Sequence, residues 1–336
     1  MTIKDIAKIA QVSPATVSRA LNNDVRVSAK TRKRVQALAS DLNYQPNLMA
    51  KGLASQKTYT ICVLIPDVTN TFYAHIMRGI EDVLTPHNYS TVYINTDYEA
   101  EKERRALDFL KSGRVDGIIA YISNRVIDEC AMLVKQDYPL IMLGHMIDEI
   151  RTTAIGCNNQ SSAYAITEYL IRAGHRRIAH VAGHMETKTA MQRLQGYKRA
   201  LETYDIPIRN EWIVATDYAG ESAYNNALAF LKKEPGITAI FAANDAIAAG
   251  CYRAIYELGG RIPEDISVVG HDDTEMATLL RPELTTMHQD IRKIGRLAAQ
   301  HLFSAMEKGK NTEDAIIVPT RLVERHSVRP IDRESV

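Results

Sequence analysis

A helix-start signal at Ser13 and Pro14 opens a segment whose side chains could read nucleic acid. A capping hydroxyl followed by proline at the first helical position is typical of a helix N-terminus. At 100° per residue, Val17, Ala20 and Leu21 share one face of this helix. The opposite face and its flanks present Ala15, Thr16, Ser18, Arg19 and Asn22. Because a guanidinium binds guanine O6 and N7 as a fork and hydroxyls reach bases or phosphates, this face predicts contact with DNA.

A second group of chemically capable side chains follows the predicted strands farther along the chain. It comprises Asp67, Asn70, Phe72, Tyr73, Asp97, Asn158, Asn159, Arg193, Asp217, Tyr218, Asn244, Asp245, Asp272 and Asp273. Carboxylates accept hydrogen bonds from paired hydroxyls, arginine binds ring or acid oxygens, and aromatic rings cover C–H surface, so the set suits a small polyol. The alternative is that most of these residues cap helices, above all Asn244 and Asp245, and that Arg193 forms an ion pair.

Three predicted helices position the first group. A T-x-x-D pattern from Thr2 begins the first helix, and the third runs from Ser28 to about residue 43. Ser28, Thr31 and Arg32 open this third helix, where backbone N–H groups and the helix dipole favour phosphate. The first two helices are joined by a tight turn, which predicts a helix-turn-helix. The alternative is a small structural bundle with solvated charges.

The charge distribution favours the DNA-binding interpretation. Residues 1–60 contain ten Lys and Arg against three Asp, a net charge of +7, whereas the remainder contains 31 basic and 37 acidic residues. A basic head on a mildly acidic body predicts a module that binds a polyanion, joined to something else.

The body alternates between short apolar strands and helices. The first set has predicted strands at 61–65, 91–95, 117–121 and 140–143, with helices at 72–84, 101–111 and 126–135. The second set has strands at 178–182, 212–216, 239–243 and 267–269, with helices at 162–173, 189–204, 222–232 and 246–258. A helix at 290–306 and an apolar run at 316–319 follow. The pattern predicts two successive doubly wound lobes with parallel sheets, and a ligand cleft between them at the strand ends.

Composition excludes several other classes of protein. The chain has 336 residues, of which 46% are apolar and 24% charged, so it is globular and long enough for two or three domains. Its four cysteines lack C-x-x-C pairing, which excludes a disulfide scaffold or a thiolate zinc ribbon and suits a reducing compartment. The most apolar run, residues 59–68, is broken by Pro66 and Asp67, so neither a membrane span nor a secretory signal is expected.

An enzyme is the main alternative for the body, together with a free-standing small-molecule binding protein. The sequence has no G-x-G-x-x-G, G-x-x-x-x-G-K-S/T or G-x-S-x-G motif. His175, His180 and His184 lie on and around a predicted strand, without the i, i+4 helical spacing of a zinc site, and are interpreted as structural or surface histidines. A free-standing binding protein would need an export signal and would lack the basic head. No catalytic residue, cofactor or metal is therefore predicted.

The order of motifs in the first 55 residues is that of a known headpiece. The segments are Ile3-Lys4-Asp5-Ile6-Ala7, Val12-Ser13-Pro14-Ala15-Thr16-Val17-Ser18-Arg19-Ala20-Leu21-Asn22, Val27-Ser28, Thr31-Arg32 and Leu42-Asn43-Tyr44-Gln45-Pro46-Asn47. They resemble the lactose/galactose repressor (LacI/GalR) family of bacterial transcription regulators. The resemblance implies a recognition helix at 14–22 and a minor-groove hinge helix at 47–54, with Leu53 as the wedge that kinks the duplex. The implied DNA contacts are Ser13, Ala15, Thr16, Ser18, Arg19, Asn22, Ser28, Thr31, Tyr44, Asn47, Ala50 and Leu53.

The resemblance extends through the body. The segments are Arg193-Leu194-Gln195-Gly196-Tyr197, Ala243-Asn244-Asp245-Ala246-Ile247-Ala248-Ala249-Gly250, Ile262-Pro263-Glu264-Asp265-Ile266-Ser267-Val268-Val269-Gly270-His271-Asp272-Asp273-Thr274, Arg281-Pro282 and Leu284-Thr285-Thr286. They look like the effector-binding core of the same family. By position the resemblance implies effector contacts for Phe72, Tyr73, Arg193, Tyr218, Asn244 and Asp272.

The implied fold is a small all-α helix-turn-helix headpiece plus an α/β two-lobed core of the periplasmic-binding-protein type. The predicted domains are residues 1–46 for DNA binding, 47–57 for the hinge and linker, 58–330 for effector binding and dimerisation, and 331–336 for the tail. The implied function is a cytoplasmic bacterial repressor, held at the nucleoid by its operator. It binds a pseudo-palindromic operator in double-stranded DNA as a homodimer and has no membrane partner. The implied effector is a sugar, sugar acid or sugar phosphate, with a nucleobase or a protein co-regulator as alternatives.

Three residues depart from the family pattern. Gln11 occupies a turn position where many members have glycine, so a positive φ there would be strained. Gly144 stands where the lactose repressor has aspartate, so effector identity is not inherited from that protein. His271 replaces the common Tyr or Phe beside Asp272.

Overall fold

The computed structural model describes residues 2–21, 23–44, 57–144, 147 and 149–331. Spatial contacts divide the chain into two units, residues 1–58 and residues 59–336. Four of the predicted DNA-contacting residues, Asn22, Asn47, Ala50 and Leu53, lie outside the described residues, as do most of the predicted hinge and the tail.

The first unit contains three described helices, α1 (Ile3–Ile9), α2 (Pro14–Leu21) and α3 (Ala29–Asp41). Thr2 and Asp5 form a capping box at the start of α1. The inward side chains of the helices make a small core in which Ile6, Val17 and Val35 are fully buried. Gln11, in the turn between α1 and α2, has a φ of +50°, so this position does carry the strain expected for a residue other than glycine.

The second unit has two lobes, each built on a six-stranded sheet. The strands of lobe 1 are β1 (Thr60–Ile65), β2 (Ser90–Asn95), β3 (Gly117–Ala120), β4 (Leu140–Leu143), β5 (Ala154–Gly156) and β11 (Ala315–Ile317). Their order in the sheet is β11-β5-β4-β3-β1-β2, and every pairing is parallel. The helices are α4 (Thr71–Leu84), α5 (Ala100–Lys111), α6 (Ile127–Lys135) and α12 (Ile291–Lys308). Apolar clusters cover both faces of the sheet, which explains its near-continuous apolar strands.

The strands of lobe 2 are β6 (Ile178–Ala182), β7 (Ile213–Ala215), β8 (Ala239–Ala242), β9 (Ser267–Asp272), β10 (Thr285–Gln289) and β12 (Thr320–Val323). Their order in the sheet is β12-β10-β9-β8-β6-β7. The helices are α7 (Asn159–Arg172), α8 (Lys188–Thr203), α9 (Gly220–Lys233), α10 (Asp245–Glu257) and α11 (Glu275–Leu279). The pairing of β10 with β12 is antiparallel and the others are parallel.

The lobes are not two successive halves of the chain, and the sequence interpretation was wrong on this point. The chain passes between them three times: after β5, after β10, and between β11 and β12. Consequently α12, which follows all of the second set, packs on lobe 1 against α4. Strands β5, β10 and β12 and helix α11 were not predicted, because each is short or lies beside more polar residues.

Two glycines allow α4 and α12 to pack closely. A Cβ atom on Gly79 would lie 2.1 Å from the carbonyl oxygen of Arg292, and one on Gly295 would lie 2.1 Å from the carbonyl oxygen of Ile76. Any side chain at either position would therefore push the helices apart. Across the described part of the chain, no helix is long and apolar enough to cross a membrane.

Candidate functional site

Helix α2 presents the predicted recognition face on the first unit. The Ser13 hydroxyl accepts a hydrogen bond from the Thr16 backbone N–H at 3.1 Å and lies 2.9 Å from the Thr16 hydroxyl, so these two residues cap α2. Ala15 and Arg19 are exposed, and Thr16 and Ser18 are half-buried. Arg19 forms no side-chain hydrogen bond or ion pair with any residue that the structure describes, so its guanidinium is available to an outside partner.

The start of α3 is capped in the same way. The Ser28 hydroxyl accepts from the Thr31 backbone N–H at 3.2 Å and donates to the Thr31 hydroxyl at 2.9 Å. Tyr44 is half-buried against the core of the first unit. Ser28, Thr31 and Tyr44 thus each have a structural task within the unit, and their predicted DNA contacts would be additional to it.

Three of the basic residues of the first unit make internal contacts. Arg26 pairs with Asp24 at 2.6 Å, which lowers the pKa of that carboxyl to about 2. Arg32 donates to the carbonyls of Asp24 and Val27, and Arg34 donates to the carbonyl of Ala10 at the end of α1. In addition to Arg19, the exposed basic residues of the first unit include Lys4, Lys8, Lys30 and Lys33.

The second unit has a cavity between its lobes, at the carboxyl ends of the strands. All six predicted effector residues line it: Phe72, Tyr73, Arg193, Tyr218, Asn244 and Asp272. Sequence reasoning had also noted Asn70, but it missed Tyr98, Tyr121, Thr187 and Thr189, which line the same cavity. Tyr121 comes directly after β3, and Tyr98 lies three residues after the end of β2, so the strand-end rule could have found them.

The cavity is narrow. It holds about 30 Å³, and an adjoining space beside Gly144, Cys157 and Gln289 holds about 10 Å³. Contacts across the lobes close it. Arg125 pairs with Glu186 at 2.6 Å, and His75 lies 3.0 Å from Glu275.

Aromatic rings fill most of the cleft. Tyr98 stacks on His184 with ring centroids 4.7 Å apart and lies 6.5 Å from Tyr218. Tyr73 meets Phe72 and Tyr121 edge to face. Burial raises the pKa of the Tyr98, Tyr121 and Tyr218 hydroxyls, so all three stay protonated and neutral. The cleft therefore offers apolar ring faces together with phenolic donors.

A buried charge pair lies at the base of the cleft. Arg193 is 4% exposed and its Nη2 lies 3.3 Å from Asp272 Oδ1. Although burial opposes the charge of Arg193, the carboxylate of Asp272 raises its pKa. The Arg193 Nε donates to Asn159 Oδ1 at 2.9 Å, and its Nη1 donates to the carbonyl of Ala243. Arg193 does form an ion pair, but the pair is buried within lobe 2 and lines the cavity, so the alternative of a surface or interlobe pair is wrong.

His271 and Gln289 hold the Asp272 carboxylate. His271 Nδ1 lies 2.9 Å and Gln289 Nε2 lies 2.6 Å from Asp272 Oδ1. Burial and then the positive charge of Arg193 lower the pKa of His271 to about 4, so its imidazole is neutral. Asp272 has a φ of +112°, an unusual backbone conformation for an L-residue.

Several strand-end residues cap helices, as the alternative interpretation proposed. Asn244 Oδ1 accepts from the Ile247 N–H at 2.8 Å, and Asn158 Oδ1 accepts from the Ser161 N–H at 2.9 Å. Asp245 does not cap the helix that it begins, because its carboxylate accepts instead from the Thr274 N–H and the Thr286 hydroxyl, both at 2.7 Å. Burial, and after it the charge of Asp272, raise the pKa of Asp245. Asn244 also lines the cavity, as does Asn70, whose Oδ1 caps α4 by accepting from the Phe72 N–H at 3.0 Å.

His175, His180 and His184, which were considered as metal ligands from the sequence, do not form one cluster. His175 contacts Thr238 and the Arg329 carbonyl, while His180 stacks on Phe241 inside lobe 2. No cluster of three or more potential metal ligands occurs within the described ranges. A Ser–His–Asp chain does exist, since Ser162 Oγ lies 2.9 Å from His271 Nε2. Ser162 is only 1% exposed and does not line the cleft cavities, so it cannot reach a substrate.

Comparison with known proteins gives a consistent result for both units. Residues 2–47 match the bacterial regulatory proteins of the lacI family, and residues 167–328 match a periplasmic binding protein-like domain. The chain is 34% identical over 330 residues to catabolite control protein A of Priestia megaterium, covering 98% of this chain and 99% of that protein.

Solved structures agree along almost the whole chain. The lac repressor dimer bound to operator and the anti-inducer ONPF is 30% identical, with a TM-score of 0.86 over 98% of this chain and 99% of that one. A LacI family regulator from Enterococcus faecium with bound ribose is 32% identical, with a TM-score of 0.71 over 81% of this chain and 100% of that one.

Proposed function

The chain belongs to the lacI family of bacterial regulatory proteins, and from that premise we propose that it represses transcription from a pseudo-palindromic operator under the control of a small sugar. The observation that carries this proposal is the pairing of two sites in one chain. One unit presents an available arginine on a capped helix, and the other encloses a polar, aromatic cleft between two lobes. The family consists of regulators, so the chain is not an enzyme.

Base reading is assigned to α2. Arg19 and Ala15 are exposed on its outer face, with Thr16 and Ser18 beside them, and this is the set that a major groove admits. Ser28, Thr31 and Tyr44 contact phosphates in the proposal, supported by the exposed Lys30 and Lys33 near the start of α3. The roles of Asn22, Asn47, Ala50 and Leu53 rest on the sequence resemblance alone.

A homodimer matches the two half-sites of such an operator. Its support is the likeness to the lac repressor dimer bound to operator, which extends over 98% of this chain. Because it acts on chromosomal DNA, the protein is proposed to work in the cytoplasm.

The cleft is the proposed effector site. Phe72, Tyr73 and Tyr218 supply ring faces, while Arg193, Asn244 and Asp272 supply polar contacts. A cavity of about 30 Å³ is smaller than a site for a sugar, which needs on the order of 300 Å³, so binding must change the lobe arrangement or the tyrosines. The effector shifts the equilibrium between the two arrangements only by its differential affinity for them.

The test is selection of a preferred duplex from a random DNA library with the full-length protein, followed by anisotropy titration at fixed salt. We expect the selected duplex to bind roughly 10³-fold more tightly than a shuffled duplex of the same composition. We also expect a sugar to change operator affinity without changing affinity for the shuffled duplex. Equal binding to both duplexes would contradict the proposed function.

A further inference from the structure

Loop 96–99, which joins β2 to α5 in lobe 1, carries an aromatic ring across to lobe 2. The ring of Tyr98 stacks on the ring of His184, with centroids 4.7 Å apart and an angle of 13° between the ring planes. The Nδ1 atom of His184 is buried and makes no hydrogen bond to any residue that the structure describes. The stacked rings therefore join the two lobes beside the cavity that Tyr98 lines.

Tyr98 differs from the other aromatic residues of the cavity in how its ring is held. Phe72, Tyr73 and Tyr121 belong to the apolar core of lobe 1 or pack against it, and Tyr218 packs against the core of lobe 2. Within the described part of the chain, Tyr98 packs against none of the apolar core clusters. Its ring can thus leave the cleft without leaving a void in either core, whereas the other four rings cannot.

The backbone of loop 96–99 is strained. Asp97 and Tyr98 have φ angles of +51° and +58°, in the left-handed region that a bulky L-residue seldom adopts. Such a conformation persists only when the surroundings enforce it. The ion pairs that hold the loop lie on the surface, where Lys102 pairs with Asp97 and, at 3.0 Å, with Glu99. The loop can therefore change conformation at little cost in packing.

The two ion pairs across the cleft are a weaker connection between the lobes than the ring stack. The side chains of Arg125 and Glu186 are 57% and 53% exposed, and those of His75 and Glu275 are 35% and 64% exposed. Exposed ion pairs contribute little, because water and salt screen them. Stacked aromatic rings add to the stabilisation that their burial already provides. We therefore expect the ring stack to dominate the side-chain contacts that keep the cleft closed.

We propose that Tyr98 is a gate on the cleft. While its ring stacks on His184 it holds the lobes together, and a ligand enters only when loop 96–99 withdraws the ring. This inference rests on the proposed function, since it takes the cleft to be the effector site. The cavity of about 30 Å³ is too small for a sugar, and withdrawal of Tyr98 enlarges it without disturbing either core. The gate raises the concentration at which an effector acts, because only the open fraction of the protein can bind it.

Cys157 provides a probe of the gate that needs no knowledge of the effector. It is 6% exposed and lines the small space that adjoins the cavity, so a reagent that labels it must have entered the cleft. Cys62, Cys130 and Cys251 are fully buried in the lobe cores and report general unfolding. The test is the rate at which iodoacetamide labels each thiol of the full-length protein at mildly alkaline pH, measured by mass spectrometry.

Tyr98→Asn removes the ring and keeps the backbone, because asparagine tolerates the left-handed region. We expect Cys157 to be labelled about 3–10-fold faster than in the wild type, as the loss of one aromatic stack predicts, and the other three cysteines to keep their rates. Tyr59→Asn is the matched control, because Tyr59 also has a positive φ of +53° and contacts a ring, that of Tyr89, but does not line the cavity. It should leave the Cys157 rate unchanged.

Two results with Tyr98→Asn overturn the gate: an unchanged Cys157 rate, and a rise that all four cysteines share. Tyr98→Phe keeps the ring and removes only the hydroxyl, which hydrogen-bonds Tyr73 within lobe 1. We expect it to change the Cys157 rate by less than about 2-fold, because the ring stack is retained. An acceleration as large as that in Tyr98→Asn would assign closure to the hydroxyl and overturn the role of the stack.

His184→Ala removes the other half of the stack from lobe 2, and it keeps the proposal testable if Tyr98→Asn does not fold. We expect the same acceleration at Cys157, and no further acceleration in the double variant, because both changes remove one contact. Additive effects would show that the two rings act separately, which contradicts the gate. Glu186→Gln should change the rate by less than about 2-fold, because it removes only an exposed ion pair.

Operator binding by the same preparations distinguishes failure of the gate from failure of the proposed function. A protein that discriminates its operator, but whose Cys157 labelling does not depend on Tyr98, retains the proposed function and refutes the gate. A protein whose Cys157 labelling depends on Tyr98, but which discriminates no duplex, supports the gate and refutes the proposed function.

Discussion

The headpiece and the ligand cleft differ in how far apart their functional residues lie in the sequence. In the first unit, Ser13 to Arg19 form one turn and a helix, and the residues that cap that helix lie beside those that face outward. In the second unit, Arg193 on α8 pairs with Asp272 at the end of β9, and Gln289 at the end of β10 donates to the same carboxylate. One site is local and exposed, whereas the other is long-range and buried. A substitution in the headpiece should therefore remove a single DNA contact. A substitution in the cleft should disturb several hydrogen-bonded residues at once.

The largest effect is expected from Arg193→Ala. The substitution leaves the buried Asp272 carboxylate without its cation, which should lower the free energy of unfolding by about 3–5 kcal/mol and abolish the response to the effector. Discrimination between operator and shuffled DNA should persist. Arg199→Ala, an exposed change on the same helix, should leave both properties intact. Thermal melting and anisotropy titration measure them, and a retained effector response would place the ligand elsewhere.

The second largest effect is expected from mild acid, which should lower the stability of the second unit more than that of the first. Burial lowers the pKa of His175, His180 and His271 from 6.5 to about 4. Between pH 6.5 and pH 4 these histidines are therefore protonated in the unfolded chain but remain neutral in the folded chain. Stability of the second unit is therefore present above pH 6.5 and is lost as the pH falls from 6.5 toward 4. At pH 5.5 the three histidines together lower the free energy of unfolding of the second unit by up to about 4 kcal/mol. Asp245 and Glu103 offset part of this, because burial raises their pKa values.

The first unit has no histidine, so its stability should change little over the same interval. Its perturbed carboxyl groups, Asp5 and Asp24, have lowered pKa values and lose their contribution only in stronger acid. Hydrogen exchange of the full-length protein at pH 7 and pH 5.5, corrected for intrinsic rates, reports each unit separately. Equal loss of protection in both units would contradict the assignment.

Arg19→Ala should have an intermediate effect, and the effect should be confined to DNA binding. Loss of one bidentate base contact should cost about 1–3 kcal/mol at a single base position and relax discrimination there. Lys33→Ala, an exposed cation on α3, should weaken all sequences alike, if at all. Competition binding with singly substituted operators gives the profile of each variant. A uniform loss for Arg19→Ala would make it a phosphate contact.

The smallest effect is expected from Ser28→Ala. Removing the cap of α3 should destabilise that helix by about 1 kcal/mol, because the Thr31 N–H loses its acceptor. Ser40→Ala, an exposed change within α3, should alter stability by less than about 0.5 kcal/mol. Hydrogen exchange of the α3 amides in the full-length protein compares the two. If the α3 amides are equally protected from exchange in both variants, the Ser28 cap makes no measurable contribution to the stability of α3.

The same contrast explains how much was predictable from sequence. Helix periodicity and capping patterns predicted α1, α2 and α3, because each signal lies within a few residues of its effect. The strand-end rule, with the family resemblance, named six residues that the structure places on one cavity. Gln289 was not found, since it enters the site only when β10 pairs beside β9, a long-range event without a local signal. The left-handed backbone of Asp272 is likewise enforced by tertiary contacts and has no sequence marker.

The three passages of the chain between the lobes decide how such a protein can be recombined with its relatives. A chimaera that exchanges the first unit needs one junction near residue 58. A chimaera that exchanges lobe 2 needs three, one at each passage. A hybrid spliced only before α7 would carry α12 and β11 from one parent onto the lobe 1 sheet of the other. It would then depend on whether both parents have glycine where α4 and α12 cross, so sequence identity at Gly79 and Gly295 is a practical guide for choosing recombination partners.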